Sequence, residues 1–157
     1  RLIYAHMLSV KYLYEHPYNA AMMFADGFDV DPYVGLRTVY MKTVAEGRTI
    51  TWQWSEKTMQ NDEDFQTQWK DPAVPEEDII FAKDSMKSLE LSNEIFEEAG
   101  IPDFDEFISE SVEDKFPLGM TFEDWYNAAK KIDNISDEDA IDITKTATPY
   151  LNENIEE

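Results

Sequence analysis

The chain has 157 residues, which is a usual length for one domain and enough to bury most of a hydrophobic core. Its 34 acidic residues outnumber 13 basic ones, for a formal net charge of −21, so its field repels phosphate backbones and we expect no nucleic-acid partner. Hydrophobic residues make up 43% of the sequence, which excludes an acidic disordered chain, and the lack of cysteine excludes disulfides and thiolate sites.

Residues 1–46 predict three consecutive helices. Apolar residues recur at helical spacing in two stripes on the first helix, so it is apolar around much of its circumference and we expect it to be largely buried. One stripe contains Ile3, Met7, Val10 and Tyr14, and the other contains Tyr4, Leu8 and Tyr12.

Proline and glycine mark the expected boundaries of these helices. Proline disfavours helical geometry in the residue before it but suits the first turn of a new helix, so one helix ends at His16 and the next begins at Pro17. Gly27 is expected to close the second helix in the left-handed conformation that is common just past a helix end. Asp31 and Pro32 then predict the N-cap and the first position of the third helix.

The segment YLYEHPYNAAMMFADGFDVDPYVGL, residues 12–36, resembles the C-terminal helical region of solute-binding proteins that serve ABC importers. The resemblance is to the nitrate, sulfonate, taurine and thiamine-precursor group, in which a helix ends in a pattern like (N/K)-(E/H)-P-x-x-A-A, before a short helix, an acidic-Pro turn and another helix. RTITWQW and LSNEIFEEAGIPDFDEFI are similar to the family's short extended segment and last helix. The matching positions of the first motif are Glu15, His16, Pro17, Ala20, Ala21, Asp31 and Pro32.

The resemblance implies a mainly α chain. It would be the helical C-terminal portion of a two-lobe α/β periplasmic-binding-protein-like fold, with at most one short extended strand. Residues 1–112 would form this helical region. Residues 113–157 lie beyond the resemblance, and their capping residues predict additional capped helices followed by an acidic tail. The implied function is that of an extracytoplasmic protein, in the periplasm or at the cell surface, which delivers a sulfonate, nitrate, taurine or pyrimidine-like molecule to ABC permease subunits.

The sequence begins inside the pattern of the first helix, with no capping residue ahead of it, which suggests a piece of a longer polypeptide. In that case truncation would leave an apolar face exposed. Such a face favours a homodimer or exchange of the first helix between copies.

The best strand candidate is RTITWQW, residues 48–54, because polar and apolar residues alternate there. Ile50, Trp52 and Trp54 would share one face. The segment would either cross the helices as an extended strap or pair with strands outside these residues. Trp52 and Trp54 are the candidate ligand-binding residues, since aromatic side chains often line small-molecule sites; core packing is the alternative role.

Further helices are predicted from apolar spacing, prolines and capping residues. The strongest of these signals opens at Pro75 with a run of carboxylates and stops at Gly100. The predicted segments are residues 56–70, 75–100, 103–111, 121–131 and 136–145.

No motif in the sequence points to catalysis, a metal or a cofactor. Asp29 and Asp31 open like a calcium loop, but Tyr33 and Val34 stand where that loop needs a ligand and a glycine. Residues 133–142 also lack the glycine. We therefore expect a non-enzymatic protein without catalytic residues, metal ligands or a cofactor.

The alternative function uses the charge directly. An acidic DNA mimic or inhibitor would dock on a basic partner such as a nuclease, and it would array its carboxylates along one face at phosphate-like spacing. The acidic residues of this chain instead cluster at predicted helix starts and loops, which favours the solute-binding hypothesis.

Overall fold

The computed structural model describes residues 1–53, 55, 57, 61, 64 and 90–144, and this part is mainly helical, as predicted. Predictions for residues 56, 58–60, 62–63, 65–89 and 145–157 lie outside the described residues, as does Trp54. The helices are α1 (Leu2–Glu15), α2 (Pro17–Phe28), α3 (Pro32–Tyr40) with the π-helical segment Met41–Ala45, α4 (residues 90–98), α5 (Phe104–Phe107) with the π-helical segment Ile108–Val112, and α6 (Phe122–Ile132).

The predicted helix starts at Pro17 and Asp31 are confirmed. Pro17 is the first residue of α2, where its missing N–H breaks no helical hydrogen bond. Asp31 caps α3, its carboxylate accepting a hydrogen bond of 2.8 Å from the backbone N–H of Tyr33, and Pro32 takes the first helical position.

The prediction that Gly27 closes α2 is wrong. Gly27 lies inside the helix, and the left-handed residue is Asp29, with φ 52°. Its backbone N–H reaches the carbonyls of Ala25 and Asp26, and the N–H of Val30 donates to the Ala25 carbonyl over 3.0 Å. Aspartate is among the few residues that tolerate this conformation, so α2 continues one residue past the glycine, to Phe28.

The expectation that α1 is largely buried is wrong for one of its two stripes. Met7, Val10 and Tyr14 are buried in the core, as their spacing predicts. Tyr4, Leu8 and Tyr12 form a separate stripe with exposed fractions of 45%, 46% and 38%. The described part of the chain packs against only one side of this helix.

Residues 48–53 form no strand and cross the helices as an extended strap, which is one of the two predicted alternatives. The strap begins against the π-helical end of α3, where Thr49 donates its backbone N–H to the Lys42 carbonyl over 3.0 Å. Ile50 is half-buried and Trp52 is buried, so the apolar side of the strap faces the core.

The helix ends after the strap follow the sequence signals closely. Gly100 has φ 63°, and the N–H of Ile101 returns to the carbonyl of Phe96 at the end of α4, as expected of a glycine stop. Asp103 caps α5 by accepting from two backbone N–H groups. Thr121 caps α6 through the backbone N–H of Asp124.

The predicted helix beginning at Ser136 does not form within the described residues. The capping contact is present, because the N–H of Asp139 donates to Ser136 Oγ over 3.2 Å. However, the backbone of Ile141 forms hydrogen bonds with two tyrosine hydroxyls. Its N–H donates to Tyr18, and its carbonyl accepts from Tyr126 over 2.6 Å. These long-range bonds replace the bonds that would have continued a helix.

Residues on both sides of position 112 share one hydrophobic core. The ring of Phe122 lies 5.3 Å from that of Tyr40, and Trp125 lies 5.8 Å from Tyr40. Tyr18 on α2 meets Tyr126 on α6 at 6.0 Å. These contacts pack α6 against α2 and α3.

Helix α3 comes very close to α2 at Gly35. A methyl group at this position would overlap the carbonyl oxygen of Ala21 and lie 3.1 Å from Cβ of Ala25. A residue without a side chain therefore sets the distance between these two helices.

Candidate ligand site beside Trp52

The strap is fastened to α1 and α5 by side-chain hydrogen bonds. Tyr14 on α1 donates its hydroxyl to the Ile50 carbonyl over 2.8 Å. Gln53 accepts from the backbone N–H of Phe104 over 2.7 Å and donates to the carboxylate of Asp103 over 2.8 Å. The bond from Gln53 is the main cause that lowers the pKa of Asp103, because it stabilises the ionised carboxylate.

Trp52 is packed between the strap and α5. Its indole is 2% exposed and meets the ring of Phe104 edge-on at 4.9 Å and that of Phe107 at 5.1 Å. Its Nε1–H is buried and has no hydrogen-bond partner in the described structure. Burying such a donor without an acceptor costs roughly 1–3 kcal/mol, so the indole of Trp52 is held by its packing contacts and not by a hydrogen bond of its own within the described structure.

A cavity of about 300 Å³ lies between α1, the strap and α4. Trp52 contributes to one wall, and His6, whose Nε2 donates to the Thr51 carbonyl over 3.3 Å, contributes to another. The volume is at the lower end of the range for small-molecule sites, and the walls are mostly apolar. The described lining residues are Leu2, Ile3, His6, Trp52, Ser92 and Phe96.

Of the two candidate ligand-binding residues, the structure describes Trp52, and Trp54 lies outside the described residues. Trp52 both packs into the core and lines the cavity, so its position is compatible with either role proposed from the sequence. The spacing in RTITWQW indicated which residues share a face. It carried no information about Leu2, Ile3 and His6, because their approach to Trp52 depends on how the strap crosses α1.

Arg48 is a largely buried cation that sequence reasoning missed. Its side chain is 10% exposed, and its guanidinium donates to the carbonyls of Thr43 and Phe116 and to the carboxylate of Glu113 over 3.0 Å. The Nε–H has no partner in the described structure. The arginine holds the start of the strap against the segments that follow α3 and α5.

The acidic residues considered for calcium have structural roles. Asp29 ends α2 and Asp31 caps α3. In the second segment, Asp133 accepts hydrogen bonds from His16 and Asn19. Among the described residues no group of three His, Cys, Asp or Glu side chains is placed to hold a metal ion.

Burial raises the pKa of Tyr14 to about 12, from an ordinary value of 10.0, with a smaller opposing effect from the charge of Arg48. Between pH 10 and about pH 12, the folded state therefore keeps this phenolic proton, whereas the unfolded state has released it. Below pH 10 the contribution of the neutral phenol to stability is fully present, and it is lost as the pH rises through about 12.

We expect Tyr14→Phe to lose about 1 kcal/mol of stability at neutral pH, because the bond to the Ile50 carbonyl disappears. The variant should also lose less stability than the parent chain between pH 10 and pH 12. Urea unfolding measured across this pH range checks both effects. An equal pH dependence of the two proteins would contradict the raised pKa.

Comparison with known proteins gave no match to a family model, to a curated protein or to a solved structure. Among the described helices, none combines the length and apolar character that crossing a membrane requires.

Proposed function

We propose that this chain is the helical C-terminal region of an extracytoplasmic solute-binding protein that delivers a small molecule to an ABC importer. The observation that supports the proposal most directly is the course of residues 1–45. Helices α1, α2 and α3 meet at Pro17 and at the Asp31–Pro32 pair, the positions at which the sequence resembles that family.

The cavity beside Trp52 supports a role for this region in holding a solute. It has a small-molecule volume, aromatic and aliphatic walls, and a neighbouring donor, Trp52 Nε1–H, that has no acceptor among the residues the structure describes. A solute that offers an acceptor after a small shift of the indole would recover that hydrogen bond. In a hinge-closing receptor, such a region would support one lobe around the ligand.

The first test is thermal unfolding of the 157-residue chain with taurine, nitrate, methanesulfonate or a hydroxymethylpyrimidine. A solute at about 100 times its dissociation constant stabilises the folded state by roughly 2.7 kcal/mol, which corresponds to an increase in Tm of about 5–10 °C for a chain of this size. We expect Trp52→Phe to reduce the shift, because it keeps a ring but removes the N–H. Leu118→Ala, an exposed residue outside the described cavity lining, should leave the shift unchanged.

The second test is to sequence the source gene and its neighbours. A signal sequence and strand–helix repeats upstream of Arg1, next to genes for a permease and an ATPase, are the expected result. A start codon directly before Arg1, together with no thermal shift by any of the four solutes, would refute the proposal.

The alternative is an acidic inhibitor that docks on a basic partner. The observation in its favour is that residues 90–114, which include α4 and α5, contain no lysine or arginine and expose carboxylates along both helices. Capture of a nuclease from cell extract by the chain, lost when Glu94, Glu98 and Glu106 are changed to glutamine, would favour this function over solute binding.

A further inference from the structure

The exposed face of α1 carries a stripe that is symmetric about its centre. Tyr4, Leu8 and Tyr12 are spaced four residues apart, and the two ends of the stripe are Arg1, the N-cap residue of α1, and Glu15, the last residue of the helix. We call these five residues the α1 stripe. At about 100° per residue, all five lie within roughly 40° of Leu8 around the helix, on the side away from the buried Met7, Val10 and Tyr14.

This symmetry makes the α1 stripe complementary to a second copy of itself running in the opposite direction. If two Leu8 side chains meet on a two-fold axis, each residue faces the one equally far on the other side of position 8. Tyr4 then faces Tyr12 of the second copy, and the positive Arg1 faces the negative Glu15. An isologous interface requires this kind of self-complementarity.

Charge also favours this face for the approach of another copy. The first acidic residue in the chain is Glu15, so the first fourteen residues carry Arg1 and Lys11 without any carboxylate. Glu15 already pairs with Lys11 at 3.3 Å, and both side chains are 39% exposed, which leaves Glu15 accessible to a second cation. With a net charge of −21 per chain, most other surfaces of two copies would repel each other.

We propose that a second copy of this chain docks on the α1 stripe as an antiparallel helix pair, with the two-fold axis at Leu8. Helix α1 has 14 residues and is about 21 Å long, so the contact is smaller than a standard stable interface. The dimer is therefore weak, with a dissociation constant of roughly 10–100 μM. It strengthens with salt, because salt screens the repulsion between two acidic chains more than it weakens the two end pairs.

Sedimentation equilibrium from 10 μM to 1 mM, at low and at high salt, tests the dimer. We expect a monomer–dimer equilibrium that shifts toward the dimer in high salt. Leu8→Glu places two like charges on the axis and should weaken association by at least about tenfold. Leu118→Glu, which changes a residue that is 53% exposed outside α1, is the matched control and should leave association unchanged. A monomer at all concentrations, or equal effects of the two variants, would overturn the proposal.

Disulfide trapping tests the orientation, and the chain is suited to it because it has no cysteine of its own. A mixture of the Tyr4→Cys and Tyr12→Cys variants should cross-link under mild oxidation, whereas either variant alone should not. Leu8→Cys should cross-link with itself. Self-linking of Tyr4→Cys, without a cross-link between the two different variants in the mixture, would indicate a parallel pair and overturn the antiparallel arrangement.

Discussion

Gly35→Ala is expected to destabilise the protein by about 3 kcal/mol, because the new methyl group would overlap the carbonyl oxygen of Ala21. A backbone carbonyl inside a helix cannot move aside as a side chain can, so α2 and α3 would have to separate. For a chain of this size the decrease in Tm is roughly 6–12 °C. Urea and thermal unfolding followed by circular dichroism measure the change.

Gly27→Ala is the matched control for this prediction. Gly27 also lies within a helix, but a methyl group added there has no atom within 4 Å. Alanine should stabilise α2 by about 0.5–1 kcal/mol, because it reduces the conformational freedom of the unfolded chain. If both variants changed stability by similar amounts in the same direction, the contact between Gly35 and Ala21 would not be the reason that position 35 excludes a side chain.

Asp133→Ala is expected to cost about 2–4 kcal/mol, because one buried carboxylate serves two distant groups. Asp133 lies at the end of α6, and its side chain is 0% exposed. It accepts from His16 Nδ1 over 2.8 Å and from the backbone N–H of Asn19 over 2.9 Å. Because His16 itself offers no side-chain cap, Asp133 acts as the cap of α2 from across the fold.

Two further variants separate this role from a general effect of charge. Asp133→Asn keeps one acceptor oxygen and should cost about half as much as alanine. Glu138→Ala removes an exposed carboxylate nearby in sequence and should change stability by less than about 0.5 kcal/mol. Chemical denaturation of the three variants at one pH ranks their losses in the free energy of unfolding. A loss for Glu138→Ala as large as that for Asp133→Ala would contradict the capping role.

The helix boundaries that were predictable from the sequence are those set by local chemistry. Pro17, Asp31, Gly100 and Thr121 each act within one turn of their own position, so their residue types were sufficient. Asp29 departs from this pattern because an aspartate took the left-handed position that glycine usually fills.

What the sequence did not indicate depends on contacts between distant segments. Ser136 makes the expected capping contact, but hydrogen bonds between the backbone of Ile141 and the hydroxyls of Tyr18 and Tyr126 take the place of helical bonds. Nothing in the sequence near Ile141 indicates that either tyrosine is its partner. The role of Asp133 was likewise not predictable, because its sequence neighbours show only that it follows a helix, and its bond to Asn19 depends on the position of α2.

The candidate site was predictable to a similar degree. Alternation in the strap identified Trp52 as an inward-facing residue, and the structure places it in the core. The cavity itself needs α1, α4 and the strap together, and so Ser92 and Phe96 were not predictable from the sequence around Trp52. Whether ligand binding or packing is the main role of Trp52 is what the thermal-shift comparison with Trp52→Phe decides.

The position of Arg48 also has an electrostatic consequence for how the protein opens. The carbonyl ends of helices carry partial negative charge, and Arg48 binds Thr43 and Phe116, which lie at or just beyond the ends of the α3 and α5 segments. One cation thus neutralises two helix termini at once. If either terminus frays, the other loses its counter-charge, so these two helix ends and the strap between them should exchange their amide protons as one cooperative unit.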